Sequence, residues 1–327
     1  MRLFLTGATG FIGGEVAKQL GAAGHKVVAL VRDPSKAGNV AALGAALHKG
    51  DITNKESMRR PMTGVDGLFH IAAWYKIGEG NLAEARAINV QGTRNVLELM
   101  RELKIPKGVY TSTLAIFSDT KGHLVDENYR HNGPWLSNYD RTKWEAHYDV
   151  ALPMIQQGLP LVIVQPGLVY GPGDKSTVRE TLVQYLRRKL PLIPKTTAFN
   201  WSHVEDAARG HLLAMERGKP GEAYIIAGAS HTLEEALELA EKITGIPAPR
   251  FRASPALMKT LATLMTVVGS IVSLPATYTA EALRVSAGST YLGDNSKARR
   301  ELGFEARPLE EGLRQTLRHE MDLLGKR

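Results

Sequence analysis

Within its first fourteen residues, MRLFLTGATGFIGG, the chain runs an apolar strand into a turn with glycines at Gly7, Gly10 and Gly13, and then into a helical stretch over 15–20. Gly7 permits the tight turn, Gly10 lets the backbone approach a pyrophosphate, and Gly13 lets the helix pack closely on the strand. Thr9, Phe11 and Ile12 lie between and beside these glycines, where the helix N-terminus faces the phosphates. The spacing thus reads as a dinucleotide site; standing alone, it also fits a purely structural turn.

The rest of the first half repeats the theme. Apolar runs rich in Val, Ile and Leu predict strands over 3–5, 26–31, 46–48, 67–72, 108–112 and 161–165, and long helices are expected over 83–103 and 138–157. Strands separated by helices imply right-handed crossovers, hence an α/β fold with a doubly wound parallel sheet of the Rossmann type. After Gly171 the pattern thins at Pro172, Gly173, Pro191 and Pro194, and helices are expected over 176–189, 232–244 and 255–274. Segment 201–216 is expected to return to the first domain. The division read from this is a dinucleotide-binding domain of 1–171 plus about 200–229, and a smaller, mainly helical substrate domain of about 172–199 and 230–327.

Composition narrows the function. The chain contains no cysteine, which excludes disulfides and thiolate chemistry and suits a cytoplasmic protein. Its net charge of +8 is dispersed among acidic residues, without the aromatic-basic interleaving of a nucleic-acid binder. Ten histidines show no metal-ligand spacing, so no metal site is read. Residues 260–280 carry no charge until Glu281, but hydroxyl residues, Gly269 and Pro275 favour a buried or lid helix over a membrane contact.

Tyr139 and Lys143 lie four apart, a spacing that puts both on one face of a helix. An ammonium beside a phenol stabilises phenolate and brings its pKa down toward the working pH, making it a general acid or base. Such a pair also arises as an ordinary amphipathic contact. Upstream, Tyr110, Thr111, Ser112 and Thr113 close the fifth strand with hydroxyls that can bind a substrate oxygen, or merely satisfy the strand-end backbone.

Taken together the motifs resemble the extended short-chain dehydrogenase/reductase family over nearly the whole chain. The matching pieces include TGATGFIGG at Thr6, GDI at Gly50, HIAA at His70, NVQGTRNV at Asn89, YTST at Tyr110, YDRTK at Tyr139, QPGLVYGPGD at Gln165, HVEDAA at His203 and SKARRELGF at Ser296. The resemblance implies Tyr139 as acid/base, Lys143 as the group that holds the nicotinamide ribose and tunes Tyr139, and Thr113 in the place of the usual catalytic Ser, with Ser112 as a second candidate. It further implies Asp51 and Ile52 at the adenine, Ala72 and Ala73 along the cofactor, and Pro166 bordering the nicotinamide. Members of the family often dimerise through two helices, which here would be those of 83–103 and 138–157.

Cofactor choice is read at the end of the second strand, where an acidic residue would bind the ribose hydroxyls of NAD. Val31 and Arg32 stand there instead. A guanidinium pairs with a 2′-phosphate, assisted by Lys36, so NADP(H) is preferred; Asp33 keeps NAD(H) open. Leu114 and Ala115 replace the acidic pair of the similar dehydratases, and Gly167 replaces the Asn of the similar nucleotide-sugar epimerases. The overall look is most similar to dihydroflavonol-reductase-like and 3β-hydroxysteroid-dehydrogenase-like members, which implies reversible reduction of the carbonyl of an apolar, aromatic small molecule. Trp74, Tyr75, Phe117 and Tyr170, with Gly167, are the expected substrate wall, each equally open to plain core packing. An epimerase of the same family and a non-catalytic NADP(H) sensor are the alternatives, the latter disfavoured by the intact Tyr139 and Lys143 pair.

Overall fold

The computed structural model describes residues 1–76, 81–269 and 279–325. Strands β1 (Arg2–Thr6), β2 (Lys26–Val31), β3 (Ala46–Lys49), β4 (Gly67–His70), β5 (Gly108–Thr111) and β6 (Leu161–Gln165) follow the apolar runs. Later come β7 (Leu168–Tyr170), β8 (Ile193–Pro194), β9 (Ala198–His203) and β10 (Ala223–Ile225). One seven-stranded sheet takes the order β10-β6-β5-β4-β1-β2-β3, parallel throughout. The order reverses between β1 and β4, which leaves a crevice beyond the carboxyl ends of those strands.

Every residue of β6 is buried, as expected of a strand covered on both faces. Alternate side chains feed two cores: Leu3 and Leu5 join Val16 and Leu20 on one face, while Phe4 joins Met58, Val96 and Ile163 on the other. The helix Val204–Arg217 returns to lie against the helix Phe11–Ala22, where the Gln19 amide donates to the Glu205 carbonyl at 2.9 Å.

Local departures from the sequence reading have physical causes. The first helix begins at Phe11, not Glu15, because Gly10 caps it through extended backbone. The strand expected over 67–72 ends at His70, since the amides of Ile71 and Ala72 turn to the Thr6 hydroxyl at 3.1 and 3.2 Å. Both long helices carry a π turn, Ala87–Gly92 and Ala146–Ala151. A π turn re-aims the side chains that follow it.

The remainder builds smaller pieces. β9 pairs with β7, with β11 (Ser230–Thr232) and with β13 (Thr290–Tyr291), while β8 pairs with β12 (Arg252–Ala253). The helix expected over 255–274 is described as Pro255–Gly269; Pro275 lies outside the described residues. No described helix is long and apolar enough to cross a membrane.

Candidate active site

A cavity of about 1030 Å³ occupies the crevice beyond β1, β4 and β5. Its first wall is the glycine turn, with Gly7, Thr9, Gly10, Phe11, Ile12 and Gly13 all on the surface. Gly7 sits at φ +79°, and a Cβ there would lie 2.7 Å from the Ala72 nitrogen; one on Gly13 would lie 2.1 Å from the Gly7 carbonyl oxygen. Gly10 opens the helix without a side-chain cap, so its first amides are available to an anion. A cradle that side chains would fill, at an uncapped helix N-terminus, fits a dinucleotide pyrophosphate.

Asp51, Ile52, Ala72, Ala73 and Pro166 continue the wall. The Asp51 carboxylate accepts from the Thr53 amide and hydroxyl, both at 2.8 Å. Arg32 is exposed at this end and also borders an adjoining hollow of about 430 Å³ with Lys49 and Asn54. Asp33 turns away. Its carboxylate caps the turn that follows, accepting from the Ser35 hydroxyl at 2.6 Å and the Ser35 amide at 3.1 Å, bonds that hold it below the usual carboxylate range. Lys36 does not reach the cavity wall; it is 84% exposed and stands 3.7 Å from Asp33.

At the other end Tyr139, Lys143 and Thr113 face one space. The helix Asn138–Glu145 is capped by the Ser137 hydroxyl, which fixes its start one residue before the Tyr139 turn. The Lys143 ammonium is buried and donates to the Thr111 carbonyl at 2.7 Å and the Tyr110 hydroxyl at 3.1 Å. Burial lowers its pKa to about 7. Tyr139 departs from the sequence reading in one respect: its phenol is pushed well above its ordinary value, by burial first and by Tyr75 second, with the Thr113 hydrogen bond opposing. Desolvation outweighs the expected stabilisation of phenolate because the same burial takes the charge off Lys143 from about pH 7 upward.

The two hydroxyl candidates separate. The Ser112 hydroxyl is buried against His147 Nδ1 at 2.9 Å, and that histidine comes from the π turn of the Tyr139 helix. Thr113 caps the turn Leu114–Phe117, accepting from the Ala115 amide at 3.1 Å, and reaches Tyr139.

Of the expected substrate wall, Trp74, Tyr75 and Gly167 line the cavity, and a Cβ on Gly167 would meet the Asn200 carbonyl oxygen at 2.1 Å. Tyr75 sets its ring edge-on to Tyr139, centroids 4.9 Å apart. Phe117 and Tyr170 are corrections. Phe117 is fully buried with Leu114, Ile116 and Ile225, and its ring meets Tyr129. Tyr170 packs in the other direction against Trp201 and His203. Sequence reasoning missed Phe199, Tyr291 and the buried Asp140, which also line the cavity. Asp140 could have been found as the neighbour of Tyr139; a two-residue strand gives Tyr291 no periodic signal.

The sequence model of the NAD dependent epimerase/dehydratase family matches residues 3–227. A putative dihydroflavonol 4-reductase of Synechocystis sp. is 33% identical over 95% of this chain and 92% of its own length. A 4-hydroxy-2-methyl-3-oxo-4-farnesyl-3,4-dihydroquinoline-1-oxide ketoreductase of Stigmatella aurantiaca is 32% identical over 94% of this chain and 92% of its own. Among solved structures, that of gox2253 superposes with a TM-score of 0.85 at 29% identity, covering 99% of this chain and 98% of that one.

Proposed function

The chain belongs to the NAD dependent epimerase/dehydratase family and is an NAD(P)-dependent enzyme of the extended short-chain dehydrogenase/reductase type, and from that premise we propose that it reduces the ketone or aldehyde of an apolar, aromatic small molecule to an alcohol, reversibly and with NADPH. The observation that carries this is the convergence of Tyr139, Lys143 and Thr113 on one cavity with the glycine turn. In support, Leu114 and Ala115, also on the cavity wall, supply neither acid nor base for a dehydration.

The glycine turn would hold the pyrophosphate, Arg32 the 2′-phosphate, Asp51 the adenine, and Ala72, Ala73 and Pro166 the remaining length of the cofactor. When bound, the nicotinamide supplies the hydride. Thr113 orients the substrate carbonyl and donates a hydrogen bond to its oxygen. Tyr139, whose raised pKa keeps it protonated at neutral pH, gives its proton to the oxygen as negative charge develops there. Lys143 holds the ribose and anchors its helix to the end of β5. Phe199, Val285 and Tyr291, which also line the cavity, would wall the substrate from the smaller domain.

The test follows NADPH consumption against aromatic aldehydes, diketones, flavanonols and steroid ketones, with UDP-sugars as controls. Turnover of a carbonyl is expected, and Tyr139→Phe should lower kcat by about 10²–10⁴ while NADPH affinity changes little. A fully active Tyr139→Phe, or conversion of UDP-sugars alone, would overturn the reading.

A further inference from the structure

Beside Tyr139 the cavity is walled by a ring held from two directions. Tyr291 on β13 lies opposite Phe199 on β9 in parallel register, and their rings stack with centroids 5.6 Å apart and planes 12° from parallel. The Tyr291 hydroxyl donates to the Asp140 carboxylate at 3.1 Å, and Asp140 is itself fixed by the Ser137 hydroxyl at 2.5 Å. Asp140 follows Tyr139 in the chain, and both line the same cavity as this ring. Tyr291 is 6% exposed, yet it and Phe199 both border the cavity.

We propose that Tyr291, stacked on Phe199 and tethered to Asp140, is a specificity-determining residue: its ring is the surface on which an aryl group carried next to the substrate carbonyl rests. The inference builds on the carbonyl-reductase reading and narrows its substrate class to aryl ketones and aldehydes. Physically, a pinned aromatic ring has lost its rotamer freedom before a ligand arrives, so stacking costs little further order. Offset or edge contacts between rings then add to the gain from burial. Tyr75, edge-on to Tyr139, bounds the same space, leaving a carbonyl at Tyr139 flanked by two aromatic side chains.

The experiment compares wild type, Tyr291→Phe and Tyr291→Leu with NADPH on 2-acetonaphthone and 2-octanone, and measures binding of 2-acetonaphthone to each protein with NADP⁺ present by calorimetry. In Tyr291→Leu the ratio of kcat/KM for the aryl ketone to that for the alkyl ketone should fall roughly three- to tenfold, mainly through KM, with naphthyl ketone binding weakened by a similar factor. Tyr291→Phe, which keeps the ring and loses only the bond to Asp140, should hold that ratio within about twofold of wild type. An unchanged ratio in Tyr291→Leu, or equal losses on both ketones in both variants, would make Tyr291 a brace for the Tyr139 helix and overturn the proposal. If neither ketone is turned over, the reductase reading fails separately, and calorimetry still decides: weaker binding in Tyr291→Leu supports the wall, while equal binding or none to wild type refutes it. Should Tyr291→Leu not fold, Phe199→Leu removes the stacking partner and is read by the same ratio and the same binding.

Discussion

Ser112 and His147 are bonded to each other at 2.9 Å, both buried, which ties the end of β5 to the helix that carries Tyr139. The bond separates two adjacent hydroxyls by task. Thr113→Ala should lower kcat, on the order of a hundredfold for removal of an oxyanion donor, with the melting temperature little changed. Ser112→Ala should instead leave a buried imidazole without its partner and destabilise the fold by about 1–3 kcal/mol. Denaturant unfolding and steady-state kinetics on the two variants check this; a Ser112→Ala protein of native stability but no activity would reverse the assignment.

Lys143 contributes a pH dependence of its own. Burial lowers its pKa to about 7, whereas the unfolded chain holds that proton up to 10.5. The unfolded state therefore binds more protons across this window, and stability rises with pH from about 7, by at most about 1.4 kcal/mol per pH unit. Near pH 10 the buried Tyr110 and Tyr139, both raised, begin to act in the opposite sense. Melting temperatures of the cofactor-free protein between about pH 7 and 9.5 should climb, and Lys143→Met should flatten the climb. The same slope in both proteins would mean the ammonium is not the group responsible.

Most of the sheet was legible because β1, β2, β4, β5 and β6 are buried along nearly their whole length and read as largely apolar runs, whereas the edge strand β3 is half exposed. β10 was not legible, since three residues are too few to show a period. Sequence reading reached the cavity lining wherever chemistry fixed the spacing, as in the glycine turn and the pair at Tyr139 and Lys143. It failed at Phe117 and Tyr170, which lie close in sequence to cavity residues but turn into the cores behind them. No local pattern could bring Tyr291 to Asp140, because that contact joins segments 151 residues apart.

Cofactor choice should rest on Arg32. It alone of the expected pair borders the cavity, while Lys36 stands outside with Asp33, whose carboxylate is taken by Ser35. Arg32→Ala is expected to weaken NADPH binding about ten- to a hundredfold, the loss of a charge-assisted contact, and to leave NADH binding nearly as it was. Lys36→Ala should change both by less than about twofold, as an exposed pair contributes little. Fluorescence titration of each protein with both nucleotides tests this, and an equal loss for NADPH and NADH in Arg32→Ala would assign the residue to the shared part of the cofactor.

Acid should unfold the protein through buried histidines, His70, His147, His203 and His211. Burial pushes His70 and His147 down to about 3 and His211 to about 4, against 6.5 in the unfolded chain. Below 6.5 the unfolded state takes up protons that the folded state refuses, so stability is lost as pH falls. Asp140, raised by burial to about 7, works the other way, because its folded carboxyl holds a proton that the unfolded chain releases down to 3.8. Taken alone, these three histidines against Asp140 give an uptake of two protons on unfolding between about pH 4 and 6, or about 2.7 kcal/mol per pH unit; burial of His203 adds in the same sense, and burial of Asp174 and Glu127 subtracts. His211 receives the Thr111 hydroxyl at Nε2, 2.8 Å away, and donates from Nδ1 to the Ala207 carbonyl at 2.7 Å. A glutamine offers a similar donor and acceptor without the charge. His211→Gln should therefore remove about one proton from the slope of unfolding free energy against pH, and a variant that keeps the wild-type slope would show that His211 is not among the groups that charge on unfolding.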